Sequence, residues 1–138
     1  MPNPLGYLTT CIILAMFPTL CFAAPDMQPG RWEITSTLEM PGMAFSMPAS
    51  KHVQCITADQ ILPQVQQENN KCQIVDQSMY GNIVTWQVQC KSDVGSMDSH
   101  GEITYHGDSF KGTVVTNGSQ MPSAMTQKMT GKRIGPCN

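Results

Sequence analysis

Apolar and polar residues alternate through most of the chain after residue 30, and this pattern predicts β-strands. In the segment 31–40, every second side chain falls on one face and charged or hydroxyl residues mostly fall on the other. The residues that share the first face are Trp32, Ile34, Ser36, Leu38 and Met40. Pro41 and Gly42 then predict a turn, followed by a second extended segment over roughly residues 44–56.

Gly81 and Asn82 have the composition of a two-residue hairpin turn with glycine in the first position. Regular pairing across this turn sets Met79 opposite Val84 and Val75 opposite Val88. These four residues then share one face of the sheet with Trp86, as a half-buried sheet requires.

Gly107 and Asp108 predict a second hairpin of the same type. Its register places apolar residues on one face in three pairs, which are Tyr105 with Phe110, Ile103 with Gly112, and Gly101 with Val114. A last strand is expected over about residues 124–134. The chain is therefore predicted to be mainly all-β, a curved antiparallel meander or half-barrel of about six to eight strands with one short helix.

The one helical candidate begins at Thr57, where the sequence Thr-Ala-Asp-Gln resembles a capping box. Ile61, Leu62 and Val65 would form its apolar stripe. Pro63 falls within this pattern and is expected to end or kink the helix near Leu62.

Residues 1–23 contain no charged side chain and include an apolar run typical of a secretory signal. Cys21 and Ala23 supply the small residues of a cleavage site after Ala23. A retained membrane anchor is the alternative, but Thr9, Thr10 and Pro18 interrupt the run. We therefore expect a signal peptide at 1–23, a single domain at 24–138, no stable transmembrane anchor after processing, and a periplasmic or secreted location.

Four cysteines remain in the predicted mature chain, and we expect all of them to form disulfides. They are Cys55, Cys72, Cys90 and Cys137. The regular register of the first hairpin sets Cys72 opposite Lys91, on the other face of the sheet from Cys90, which disfavours a bridge between these two. The pairing Cys55–Cys72 with Cys90–Cys137 is therefore preferred.

Net charge and motifs exclude several classes of function. The formal charge of −2 provides no electrostatic basis for nucleic-acid binding. His52, His100 and His106 are the only histidines, and no hydrolase, zinc-protease or phosphate-binding motif is present. With the cysteines assigned to bridges, we expect no catalytic residue, no cofactor and a non-enzymatic protein.

Methionine is unusually common, with eleven residues in the chain. Two groups have spacings of three or four, one of Met40, Met43 and Met47 and the other of Met121, Met125 and Met129. Thioethers bind Cu(I), so these six are candidate copper ligands, and the spacing of the second group would place all three on one face of a strand. We favour instead a role in filling gaps or lining an adaptable apolar groove, because no histidine or acidic residue is interleaved.

Several short motifs resemble a family of bacterial envelope proteins known as domain-of-unknown-function family 3617. The resemblance covers about residues 29–137 and rests on the order of these motifs: Pro29-Gly-Arg-Trp-Glu, Met40-Pro-Gly-Met, Cys55-Ile-Thr, Gly101-Glu-Ile, Gly107-Asp-Ser-Phe-Lys-Gly and Gly131-Lys-Arg-Ile-Gly-Pro-Cys. Pro136 stands where members more often have an acidic residue. The resemblance implies a Gram-negative periplasmic protein and brings no catalytic residues with it.

The sequence thus predicts a disulfide-stabilised β domain of the cell envelope that binds an unknown apolar ligand or an envelope protein. A methionine-rich periplasmic Cu(I)-binding protein is the alternative. The ligand-binding residues themselves are not identified by any sequence motif.

Overall fold

The computed structural model describes residues 24–42, 47–61 and 71–137, which form seven β-strands and no helix. The strands are β1 (Gly30–Glu39), β2 (Ser50–Ile56), β3 (Lys71–Tyr80), β4 (Ile83–Ser92), β5 (Gly95–His106), β6 (Ser109–Gly118) and β7 (Met125–Gly135). The predicted first and last strands are confirmed to within a residue at each end. The predicted second strand is shorter than expected and begins at Ser50; residues 43–46 lie outside the described residues.

All seven strands belong to one antiparallel sheet, in the order β2-β1-β7-β6-β5-β4-β3. Strands β3 to β7 form a meander, as the hairpin patterns predict. The antiparallel pair β1 and β2 then adds to the meander through pairing of β1 with β7. The sheet does not close, because β2 and β3 occupy its two edges, and the predicted all-β antiparallel fold is confirmed.

Alternation along the strands gives the sheet one apolar face, which we call the inner face, and one polar face, the outer face. The inner face holds the nine buried apolar residues, which are Trp32, Ile34, Ile56, Val84, Trp86, Val88, Ile103, Tyr105 and Phe110. On the outer face, threonines and charged side chains predominate, including the exposed ion pair between Lys128 and Glu39 at 2.8 Å. Exclusion of the inner face from water is the main driving force for this fold.

Both predicted hairpin turns are present. Gly81 and Gly107 have positive φ values of 57° and 65°, a conformation that glycine adopts readily. Tyr105 pairs with Phe110 and Met79 with Val84, as expected. Met79 is nevertheless half exposed, because it lies on the edge strand β3.

The predicted register of β3 is wrong for the residues that precede Asp76, because Val75 forms a β-bulge. Ile74, and not Val75, pairs with Val88, and the register shifts by one residue between Ile74 and Asp76. The extra residue in β3 reverses the faces of the residues that precede it. Val75 is consequently 43% exposed and does not belong to the inner apolar set.

The same bulge corrects the predicted disulfide pairing. It sets Cys72 directly opposite Cys90, and these two residues are bridged. Cys55 of β2 is bridged to Cys137, which follows β7. The preferred pairing Cys55–Cys72 with Cys90–Cys137 is therefore wrong, whereas the expectation that all four cysteines are bridged is confirmed.

The helix predicted to begin at Thr57 is also wrong. Residues 57–60 form a single turn, in which the backbone N–H of Gln60 donates to the Thr57 carbonyl oxygen at 3.0 Å. An isolated turn of this kind forms easily, while a helix needs several successive hydrogen bonds to offset its nucleation cost. The remainder of the predicted apolar stripe, Leu62 and Val65, lies outside the described residues.

The predicted signal peptide, residues 1–23, also lies outside the described residues. Within the described ranges, no helix has the length and apolar character needed to cross a membrane.

Candidate functional site

A hollow of about 140 Å³ opens on the inner face between β2 and β5, and we call it the central hollow. Its lining comes from five strands and from the segment that follows β2. The residues are Ile34, Ser36, His52, Gln54, Ile56, Gln60, Ile61, Ile103, Tyr105, Phe110, Gln127 and Met129. Three strands separate β2 from β5 in the sheet, so a common hollow requires the sheet to curve around its inner face.

Aromatic packing holds one wall of the central hollow in place. The Phe110 ring lies 5.5 Å from the Trp32 ring and 5.7 Å from the Tyr105 ring, measured between centroids. Such tilted and edge-on arrangements are the favoured ones for aromatic pairs. Gly131 faces Phe110 on β7, and a Cβ atom at Gly131 would clash with the phenyl ring. The absence of a side chain at this position therefore lets the ring lie against the sheet.

The segment Thr57–Ile61, which we call the strap, runs from the end of β2 over this wall. The buried Tyr105 hydroxyl donates a hydrogen bond to the Ile61 carbonyl oxygen at 3.0 Å. Burial raises the pKa of Tyr105 to about 12, so the hydroxyl stays protonated and remains a donor well above neutral pH. The strap is thus fastened to the centre of the inner face.

Polar side chains surround the apolar wall of the central hollow on the β1, β2 and β7 side. They are Ser36, His52, Gln54 and Gln127, with Gln60 contributed by the strap. Among the described residues that line this hollow, none is Lys, Arg, Asp or Glu. The arrangement suits a ligand with an apolar body and a hydrogen-bonding end.

A second hollow of about 120 Å³, the end hollow, lies where the β4–β5 turn meets the segment after β6. Cys90, Val94, Met97 and Met121 provide its apolar lining, together with Gly95, Gly118 and short polar residues. Met97 pairs with Gly118 across β5 and β6, and Cys90 pairs with Met97. The side chains of Cys90 and Met97 therefore belong to the inner face, like those of the central hollow.

A third hollow, of about 440 Å³, is a depression of the outer face. Its lining is mainly polar and includes Asp76, Gln87, His100, Glu102 and Thr113. Among the described residues, no group of three or more His, Cys, Asp or Glu side chains is placed to hold a metal ion.

The structure separates the predicted methionine groups. Met125 and Met129 lie on the inner face of β7, but Met121 precedes β7 and lines the end hollow, so the predicted placement of all three on one strand face is wrong. Met129 lines the central hollow. Met40 is half-buried after β1, Met47 is 39% exposed, and Met43 lies outside the described residues.

The three histidines also lie apart. His52 lines the central hollow and His100 the outer depression, while His106 is exposed beside the β5–β6 turn. The four predicted disulfide cysteines are bridged as described above, and Cys90 also borders the end hollow.

Sequence reasoning named many residues of the central hollow but did not identify it as a site and missed Gln54 and Gln127. Gln54 and Gln127 lie on the inner face because they are registered with Trp32 and Leu38 of β1, respectively. Both side chains are polar, so the alternation of apolar residues in the sequence does not identify them as inner-face residues. Only the pairing of β1 with both β2 and β7 reveals their position.

Comparison with known protein families gives a match over most of the chain. Residues 27–137 match the family described as "Protein of unknown function (DUF3617)". No curated protein and no solved structure matches the chain. The matched range includes all seven strands and all four bridged cysteines. The chain therefore belongs to domain-of-unknown-function family 3617.

Proposed function

We propose that this protein is a non-enzymatic binding module that holds an apolar ligand in the central hollow. The observation that carries the proposal is the combination of an apolar wall with a polar rim. Ile34, Ile103, Phe110 and Met129 form part of the wall, and His52 with the glutamines forms the rim. Small-molecule sites typically have this composition.

The size of the hollow supports a narrow ligand. Its volume of about 140 Å³ is close to that of an engineered apolar cavity of about 150 Å³ that binds benzene. A flat ring or a short stretch of hydrocarbon chain therefore fits. Met129 adds adaptability, because a thioether side chain adjusts to ligands of different shape.

We also propose that the protein is periplasmic or secreted and therefore works in an oxidising compartment outside the cytoplasm. Two disulfides support this location, since such bonds persist in oxidising environments and are rare in reducing ones. The uncharged apolar run in residues 1–23 supports it at the sequence level.

The test is calorimetric titration of the oxidised protein with octanoate, using a variant that fills the central hollow. Ser36 is 7% exposed and lines the hollow, so Ser36→Leu places extra carbon atoms in the ligand's space. We expect binding about tenfold weaker, which corresponds to the loss of about two buried methylene groups.

Thr35→Leu is the matched control, because Thr35 neighbours Ser36 on β1 and points to the outer face. This variant should bind octanoate as the wild type does. Equal binding by both variants, or no binding by the wild type, would contradict the proposed site. Thermal unfolding of each protein establishes that the variants are folded.

A further inference from the structure

We infer that the central hollow and the end hollow are the two ends of one site, which takes a long-chain monoacyl amphiphile. This inference rests on the proposed function and specifies its ligand class. Both hollows are lined from the inner face, and strands β5 and β6 contribute residues to both. Ile103 lines the central hollow and Met97 lines the end hollow, and both lie on the same face of β5.

The distance between the hollows sets the length of the ligand. Along β6, Gly112 faces Met129 of the central hollow, and Gly118 lines the end hollow six residues later. At about 3.4 Å per residue, the two ends lie about 20 Å apart. This distance matches an extended long-chain acyl group and exceeds the length of octanoate.

The surface between the hollows is suited to a hydrocarbon chain. Val114 of β6 and Met125 and Gln127 of β7 face inward there and are only partly buried, which leaves surface for a ligand to cover. The two hydroxyl groups on this path, those of Ser99 and Thr116, bond to each other at 2.9 Å. Because these hydroxyls satisfy one another, a chain lying over them leaves neither hydroxyl without a partner.

The two ends differ in polarity, and this difference orients the ligand. The central hollow has His52 and the glutamine side chains at its rim, whereas the end hollow is lined chiefly by apolar atoms of Val94, Met97 and Met121. The head group therefore lies near β2 and the end of the chain near Met121. Met97, Met121, Met125 and Met129 all border this path, which gives one role to methionines that come from β5, from β7 and from the segment before β7.

The first experiment compares the affinities of hexanoate, octanoate and hexadecanoate for the wild type, below the concentrations at which each aggregates. We expect hexadecanoate to bind at least about a hundredfold more tightly than octanoate, because its additional methylene groups are buried between the hollows. In Met121→Glu, a charge enters the end hollow. The affinity for hexadecanoate should then exceed that for octanoate by less than about tenfold, while octanoate affinity is unchanged. Met79→Glu is the matched control, because Met79 is half-exposed on the edge strand β3, away from both hollows. This variant should bind hexadecanoate more tightly than octanoate by the same factor as the wild type does.

The second experiment needs no variant. Peptide mass spectrometry measures sulfoxide formation at each methionine after mild peroxide treatment, with and without ligand. Octanoate should protect Met129 alone, whereas hexadecanoate should protect Met129 and Met121 together.

The outcomes separate this inference from the proposed function. Protection of Met129 by both ligands, with Met121 equally oxidised throughout and no gain from chain length, would overturn the inference and leave the central hollow as the whole site. Failure of every fatty acid to bind or protect would overturn the proposed function itself.

Discussion

The indole ring of Trp86 lies across Gly101, its direct partner on the neighbouring strand, in the middle of the inner face. A Cβ atom at Gly101 would clash with the ring, and Trp86 is only 5% exposed. The missing side chain thus makes room for one of the largest residues of the core. The same relationship holds between Phe110 and Gly131 beside the central hollow.

We predict that Gly101→Ala destabilises the protein by about 1–3 kcal/mol, because the added methyl group displaces the buried indole. Chemical denaturation measures the change in the free energy of unfolding. Gly118→Ala is the control, since its nearest neighbour is the flexible end of Met121, and a change within about 0.5 kcal/mol is expected. Equal effects in the two variants would show that the Trp86 packing does not determine the cost.

The two disulfides should contribute unequally to stability. Cys55–Cys137 closes a sequence separation of 82 residues and Cys72–Cys90 one of 18. Loop-closure entropy predicts losses of about 4.5 and about 3 kcal/mol, respectively, when each pair is replaced by serine. Denaturation of the two double variants measures this order. Peptide mapping of the unreduced wild type checks the pairing, and a Cys55–Cys72 peptide would contradict it.

The burial of Tyr105 should make stability depend on alkaline pH. The pKa of Tyr105 is raised by burial from 10.0 to about 12, so the folded state retains this proton more tightly than the unfolded state. The resulting stabilisation is complete below pH 10 and is lost as the pH rises through 12. The denaturation midpoint of the wild type should therefore fall as the pH is raised from 10 to 12.

Tyr105→Phe should remove that alkaline component and cost about 1 kcal/mol at neutral pH through the lost hydrogen bond. Tyr80→Phe is the control, because Tyr80 is 85% exposed, and its pH dependence should match that of the wild type. A wild-type alkaline transition that persists in Tyr105→Phe would assign the effect to another group.

The bulge at Val75 should protect the exposed edge of β3. Deleting Val75 places Ile74 next to Asp76 in a regular ladder with β4, and Cys72 stays opposite Cys90. The disulfide should therefore form normally, while the edge becomes flat and carries the half-exposed Ile74 and Met79. Unprotected edges of this kind pair with other chains, so analytical ultracentrifugation should show more self-association than in the wild type. Loss of the Cys72–Cys90 bridge in this variant would contradict the register.

Much of the local structure was determined by the sequence. Alternation placed Trp32, Ile34 and Ser36 on one face because successive side chains of a strand point to opposite sides. Gly81 and Gly107 located both hairpin turns, since few other residues adopt positive φ there. The number of cysteines also indicated that all four are bridged.

The tertiary structure alone decided the disulfide pairing and the site. The bulge at Val75 adds one unpaired residue, which no composition signal marks, and this single residue reverses which cysteines face each other. The central hollow depends on the pairing of β1 with β2 and β7, which brings Gln54 and Gln127 into one lining with Ile103 of β5. Such contacts join residues far apart in the chain, and local alternation carries no information about which strands become neighbours.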